Sequence, residues 1–129
     1  MAPPGDGRVY DLEERTWKFA QAVRVFLRNL PGDYITAQDG KQLVRSSGSV
    51  GANYIEAHEG LSDADFLYRI KLCRKEAKES RYWLTLLLID ETTPPAAERN
   101  RLAQEALELT NIFGAIYRKR AAHQPLPHP

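Results

Sequence analysis

The spacing of apolar residues between positions 66 and 87 constrains the fold more than any other feature of this chain. Apolar and small side chains recur there at alternating steps of four and three residues, at Phe66, Ile70, Cys73, Ala77, Ser80, Leu84 and Leu87. This spacing is typical of the buried stripe of a helix in a bundle. It predicts a helix that starts after Ser62, runs to about Asp90 and needs other helices to cover it.

Three other segments have helical periodicity, and breaks that contain proline or glycine separate them. The first spans about residues 11–29. The second begins after Thr36, where "TAQD" is typical of a helix cap, and ends at Gly60. The last spans about residues 94–120, and no segment shows the alternation of a strand. The pattern predicts an all-α fold, an antiparallel up-down-up-down four-helix bundle formed by residues 11–120.

Both ends of the chain are rich in proline or glycine, and we expect residues 1–10 and 121–129 to be disordered. The chain has 129 residues, a net charge of +1 and one cysteine. Its length suits one domain, and its single cysteine excludes an internal disulfide bond. No apolar run approaches the ~18 residues of a membrane span. We therefore expect a cytoplasmic protein that makes no contact with a membrane.

No set of residues in the sequence is typical of an active site or a metal centre. His58 is the only histidine within a predicted helix, and it lacks the glutamate three residues earlier that di-metal bundles use. His123 and His128 lie in the proline-rich tail, which offers no fixed ligand geometry. Cys73 falls on the core stripe, as a small apolar residue would. We expect no catalytic residue, no cofactor and no metal.

The stretch "RSSGSVGANYIEAHEG", residues 45–60, has three distinct sides when it is drawn as a helix. One side is apolar. A second is a polar stripe, which fits either a buried network or a solvated surface: Ser46, Ser49, Asn53 and Glu56. The third side is thinned by Gly48, Gly51 and Ala52. Each glycine costs about 1 kcal/mol in a helix relative to alanine, so we expect a neighbouring helix, of this subunit or the next, to approach closely here.

The third predicted helix carries two further surfaces beside its core stripe. An apolar sector predicts a subunit interface, the alternative being a wide core that Trp83 covers. Its residues are Tyr68, Leu72, Trp83 and Leu86. A basic stripe fits either a solvated surface or a site for nucleic-acid phosphates. Its residues are Lys71, Arg74, Lys75, Lys78 and Arg81.

Residues 45–87 resemble the central signature of the four-helix bundle proteins related to the 23S rRNA intervening-sequence protein. The pattern is Arg-Ser-x-x-Ser-x-x-x-Asn-x-x-Glu-Ala, then an acidic residue and Phe at the turn into the third helix, then Lys-Glu-Ala-x-Glu, and last an aromatic residue followed by Trp-Leu. The matching positions are Arg45, Ser46, Ser49, Asn53, Glu56, Ala57, Asp65, Phe66, Lys75, Glu76, Ala77, Glu79, Tyr82, Trp83 and Leu84.

The resemblance implies a small bacterial protein that forms a homopentameric ring of four-helix bundles and has no catalytic residues. One branch of the family is the accessory variability protein of diversity-generating retroelements, which partners a reverse transcriptase and binds nucleic acid through a basic surface. That protein is strongly basic, whereas this chain is nearly neutral. The resemblance also suggests a polar lock that joins Asn53 and Glu56 to Lys75 and Glu79.

Two hypotheses follow from these patterns. The preferred one is a non-enzymatic, homo-oligomeric scaffold that serves as an accessory protein to a reverse transcriptase or RNA. The alternative is a protein that binds RNA or DNA directly through the basic stripe of the third helix.

Overall fold

Four helices make up the fold in the computed structural model, which describes residues 11–123. They are α1 (Leu12–Arg28), α2 (Tyr34–Ala57), α3 (Asp63–Leu86) and α4 (Pro94–Ala122). Each helix packs against the next one along the chain, and α4 also contacts α1. Short connections between packed neighbours make them antiparallel. The predicted all-α four-helix bundle is confirmed.

Several helix boundaries differ from the sequence prediction; α2 ends at Ala57, three residues before the predicted Gly60, and two other differences have clear local reasons. The carboxylate of Asp33 accepts a hydrogen bond from the backbone N–H of Thr36 at 2.9 Å, so α2 begins at Tyr34 and not after Thr36. Helix α3 begins as expected, because the Ser62 hydroxyl accepts from the N–H of Asp65 at 3.1 Å. It ends at Leu86 and not near Asp90, because the chain turns extended at the next residue, with φ −57° and ψ 135°.

The predicted tails lie mostly outside the described residues. The segment 1–10 is outside them altogether, and so is His128. Helix α4 continues through Ala121 and Ala122, which the prediction assigned to the tail, and His123 follows it directly.

The core lies along the axis of the bundle and takes side chains from all four helices. Most of the predicted α3 core stripe is fully buried, including Ile70, Cys73 and Ala77. Phe113 of α4 and Leu43 of α2 fill the space opposite it. Among residues 11–123, no helix is both long and apolar enough to cross a lipid bilayer.

Candidate interaction surfaces on helices α2, α3 and α4

A pair of serine hydroxyls lies at the centre of the contact between α2 and α3. The Oγ atoms of Ser46 and Ser80 are 2.9 Å apart, and both residues are fully buried. Ser80 also donates to the backbone carbonyl of Glu76 at 2.8 Å. Small side chains that satisfy each other allow the two helices to pack closely without an unpaired polar group.

Charged groups flank this serine pair at the surface. Arg45 of α2 reaches across to Glu76 and Glu79 of α3, with a distance of 3.3 Å to each carboxylate. Two turns further along, Arg69 donates to the side-chain oxygen of Asn53 at 3.0 Å. Helices α2 and α3 are therefore joined by three polar contacts in a row.

These contacts use partners other than those that the sequence suggested. Asn53 bonds Arg69 and not Lys75, while Lys75 is exposed and pairs with Glu79 of its own helix at 3.9 Å. The Glu56 side chain is exposed and makes no hydrogen bond or ion pair with the described residues. Ser49 donates to the carbonyl of Arg45, one turn back. The predicted lock that joins Asn53 and Glu56 to Lys75 and Glu79 is therefore wrong, because Glu76 and Ser80 are the α3 side chains that turn inward.

The glycine side of α2 faces α1 of the same subunit. A Cβ at Gly51 would lie 2.8 Å from Oγ1 of Thr16, a distance that real Cβ atoms do not reach. A Cβ at Gly48 would lie 3.1 Å from the guanidinium end of Arg24. The close approach expected at these glycines is therefore present, and its partner is α1. An open groove of about 970 Å³ runs beside it and includes Trp17, Ala52 and Ile55 in its walls.

Apolar side chains occupy the outer surface of α3, which no described helix covers. Tyr68 is 59% exposed and Leu86 is 42% exposed, whereas Leu72 and Trp83 are partly buried. Trp83 packs against the core and meets the ring of Tyr82 edge-on, with centroids 5.1 Å apart. Tyr82 is itself 57% exposed. We call Tyr68, Leu72, Tyr82 and Leu86 the outer apolar face. The sequence prediction missed Tyr82, although its spacing of four from Leu86 indicated it.

The predicted basic stripe separates into paired and unpaired cations. Lys75 has an acidic partner, as described above. The other four side chains are exposed and make no ion pair with the described residues: Lys71, Arg74, Lys78 and Arg81. The reason is that the carboxylates of α3 and α4 are bonded elsewhere. Glu76 and Glu79 contact Arg45, Glu105 and Glu108 contact Arg15 of α1, Glu98 contacts Arg101, Asp63 contacts Arg120, and Asp65 accepts from the N–H of Leu61.

Helix α4 extends this basic surface at Arg118, which sequence analysis missed. Arg74 of α3 and Arg118 of α4 meet over the buried backbone of Gly114. Their nitrogen atoms Nε and Nη1 lie 3.3 Å and 3.2 Å from the position that a Cβ would take there. Arg118 also lacks an acidic partner among the described residues. We call Lys71, Arg74, Lys78, Arg81 and Arg118 the α3–α4 basic surface.

The remaining candidates for chemistry are inert in this structure. Burial raises the pKa of the Cys73 thiol from 9.0 to about 12, so the nucleophilic thiolate is suppressed. Among residues 11–123, no group of three or more His, Cys, Asp or Glu side chains is arranged to hold a metal ion.

Comparison with known proteins agrees with the fold and the motif. The family model described as "23S rRNA-intervening sequence protein" matches residues 10–115, which include α1, α2, α3 and most of α4. This chain belongs to that family. No curated protein matches it.

A solved structure is similar to this member of the family. It is a protein of unknown function from the S23 ribosomal protein family of Bacteroides thetaiotaomicron, determined at 1.70 Å resolution. The TM-score is 0.70 at 29% sequence identity, and the match covers 83% of this chain and 98% of that one.

Several of the positions by which the sequence resembles the intervening-sequence family stabilise the packing of two helices in this member. Arg45, Ser46, Glu76 and Glu79 form the polar contact between α2 and α3. Because they hold two helices together, their presence explains the shared fold and assigns no reaction.

Proposed function

We propose that this protein is a non-enzymatic scaffold in the cytoplasm that assembles with copies of itself through the outer apolar face of α3. The observation that carries the proposal is the exposure of Tyr68, Tyr82 and Leu86 along one helix. Aromatic residues are enriched at subunit interfaces, and burying exposed aromatic and large aliphatic side chains removes apolar area from water.

The assembled particle would present its other surfaces several times over. The resemblance to the family suggests five copies in a ring, each with its α3–α4 basic surface. Repeating that surface multiplies the local positive field even though one chain carries a net charge of only +1. Such a particle suits an accessory role beside a reverse transcriptase or an RNA.

Assembly is tested by light scattering coupled to size-exclusion chromatography. We expect the wild-type protein to elute as an oligomer at micromolar concentration. The double variant Tyr68→Lys/Leu86→Lys should be a monomer with an unchanged circular dichroism spectrum, because two cations on this face must be desolvated on assembly. Trp17→Lys/Val25→Lys is the matched control, since these two side chains are 61% and 47% exposed on α1, which packs against α2 and α4. A monomeric wild type, or an oligomeric double variant, contradicts the proposal.

A second candidate function is direct binding of RNA or DNA by the α3–α4 basic surface. The observation that favours it is the absence of an acidic partner for Lys71, Lys78 and their three basic neighbours among the described residues. Lys and Arg side chains that neutralise phosphates release counterions, so binding must weaken steeply as salt rises.

Charge reversal separates this function from general attraction between charges. Lys71→Glu/Lys78→Glu should lower RNA affinity by more than tenfold at 50 mM salt. Arg28→Glu/Lys41→Glu changes the net charge equally on exposed positions of α1 and α2, and it should lower affinity by less than threefold. Equal losses in the two variants, or no RNA binding by the wild type at low salt, would exclude the second candidate.

A further inference from the structure

We propose that Arg74, Gly114 and Arg118 form a binding site for a single phosphate group, the phosphate notch, between α3 and α4. The site deepens the second candidate function, on which its nucleic-acid form rests. It assigns the contact with one phosphate group to two particular side chains, whereas the basic stripe of α3 alone does not say which cations bind it.

Two guanidinium groups from different helices converge on one point. Arg74 Nε and Arg118 Nη1 both lie within 3.3 Å of the position that a Cβ would take at Gly114. A phosphate above this point can accept a charge-assisted hydrogen bond of about 2.7–2.9 Å from each guanidinium. Planar guanidinium groups match the geometry of phosphate oxygens better than ammonium groups do.

The missing side chain at Gly114 is what allows this convergence. Gly114 is buried, so the two arginine side chains lie directly over the backbone of α4. An alanine methyl group would lie at a distance from both guanidinium groups that few real Cβ atoms show, and it would displace at least one of them.

No carboxylate of these two helices neutralises the pair. The acids of α3 and α4 are bonded to Arg15, Arg45, Arg101, Arg120 and the backbone at Leu61. Two like charges held side by side repel each other, and a bound anion converts that repulsion into attraction. The local charge therefore favours an oxyanion with more than one acceptor oxygen.

The phosphate can come from a nucleic-acid backbone or from a small phosphate compound, and one set of variants distinguishes these sources. The first probe is a fluorescein-labelled 20-nucleotide single-stranded RNA, followed by anisotropy at 50–300 mM salt. Arg74→Gln/Arg118→Gln should weaken binding at least tenfold, while the control Arg28→Gln/Lys41→Gln removes the same charge from exposed positions outside that surface and should weaken it less than threefold. Gly114→Ala keeps every charge and should still weaken binding at least fivefold, with a circular dichroism spectrum like that of the wild type.

The second probe is inorganic phosphate alone, followed through the arginine Nε–H resonances by NMR. A saturable shift of the Arg74 and Arg118 signals in the wild type, lost in Gly114→Ala, supports the notch as a phosphate site. If RNA binds the wild type but Gly114→Ala and the two double variants lose equally little, the notch is wrong while the second candidate function stands. If RNA does not bind at all, the second candidate fails, and the phosphate titration alone decides: a saturable shift keeps a small-phosphate site, and no shift overturns the notch.

Discussion

At Gly51, one methyl group decides whether α1 and α2 can pack as they do. A Cβ there meets Oγ1 of Thr16 at 2.8 Å, and Thr16 cannot swing away because its hydroxyl donates to the carbonyl of Leu12 at 2.7 Å. Overpacking typically costs about 1–3 kcal/mol, which exceeds the ~1 kcal/mol that alanine gains over glycine in a helix. We expect Gly51→Ala to lower the free energy of unfolding by roughly 1–2 kcal/mol in urea denaturation.

Gly48 is the matched control for this prediction. The atom nearest to a Cβ there is Nη2 of Arg24, at 3.1 Å, which donates to the carbonyl of Val44 at 3.2 Å but ends a long side chain that can shift by a few tenths of an ångström. Gly48→Ala should therefore leave stability unchanged or raise it by up to ~1 kcal/mol. Equal effects of the two substitutions would mean that neither glycine is required for the approach of α1.

Cys73 gives a second prediction at the scale of one residue. Burial raises the pKa of its thiol from 9.0 to about 12, so the folded state favours the protonated form. Its contribution to stability is complete below pH 9 and is lost as the pH rises towards 12, by up to about 1.4 kcal/mol per pH unit. Urea unfolding at pH 8 and pH 10.5 should show this loss in the wild type, and Cys73→Ala should lack this component. In the native state at pH 8 the thiol should resist a disulfide reagent that labels it rapidly in guanidinium chloride.

Between elements, the contact of Arg45 with Glu76 is the polar tie most sensitive to change. The Glu76 side chain is only 11% exposed, so removing its cation leaves a nearly buried carboxylate without compensation. We expect Arg45→Met to cost about 1–3 kcal/mol, measured by thermal and urea unfolding. Glu79→Gln should cost less than ~1 kcal/mol, because Glu79 is more exposed. The double variant Arg45→Met/Glu76→Met should recover much of the loss, and a loss equal to the sum of both single changes would contradict this account.

The helices were predictable from sequence wherever local spacing determined them. The α3 core stripe emerged from the three- and four-residue steps, and its cap emerged from Ser62 followed by the acidic Asp63 and Asp65 in the first turn. The end of α3 did not, since "LTLLLID" continues the apolar pattern while the backbone turns extended, and Leu87 is still buried beyond the helix. Apolar periodicity indicates which residues are buried, and here the buried residues continue past the end of the helix.

The candidate sites were predictable only within one helix. A helical wheel of α3 found the four unpaired cations, because they share one side of that helix. It could not find Arg118 or Gly114, which meet Arg74 only after α3 and α4 pack. The polar contacts between α2 and α3 were hidden for the same reason: the register between the two helices places Arg45 beside Glu76 and Asn53 beside Arg69, and spacing along one helix does not fix that register.

At the scale of the whole molecule, the fluorescence of the two tryptophans can identify the surface that is buried in the proposed oligomer. Trp83 adjoins the outer apolar face, whereas Trp17 is 61% exposed in the groove between α1 and α2. In Trp17→Phe, raising the protein concentration through the assembly range should shift the Trp83 emission to the blue and reduce its quenching by acrylamide. In Trp83→Phe, the Trp17 signal should not change. The opposite pattern would move the interface to the α1–α2 groove.

The contact between Gly51 and Thr16 also has a consequence for how the family can diverge. The two positions lie in different helices, 35 residues apart, and neither can grow without striking the other. We expect a lineage that replaces the glycine to shrink the threonine to alanine or glycine, either of which removes Oγ1. We therefore expect the residues at positions 16 and 51 to covary among descendants of this sequence. The residue at position 48 should change independently of Arg24, its neighbour on α1.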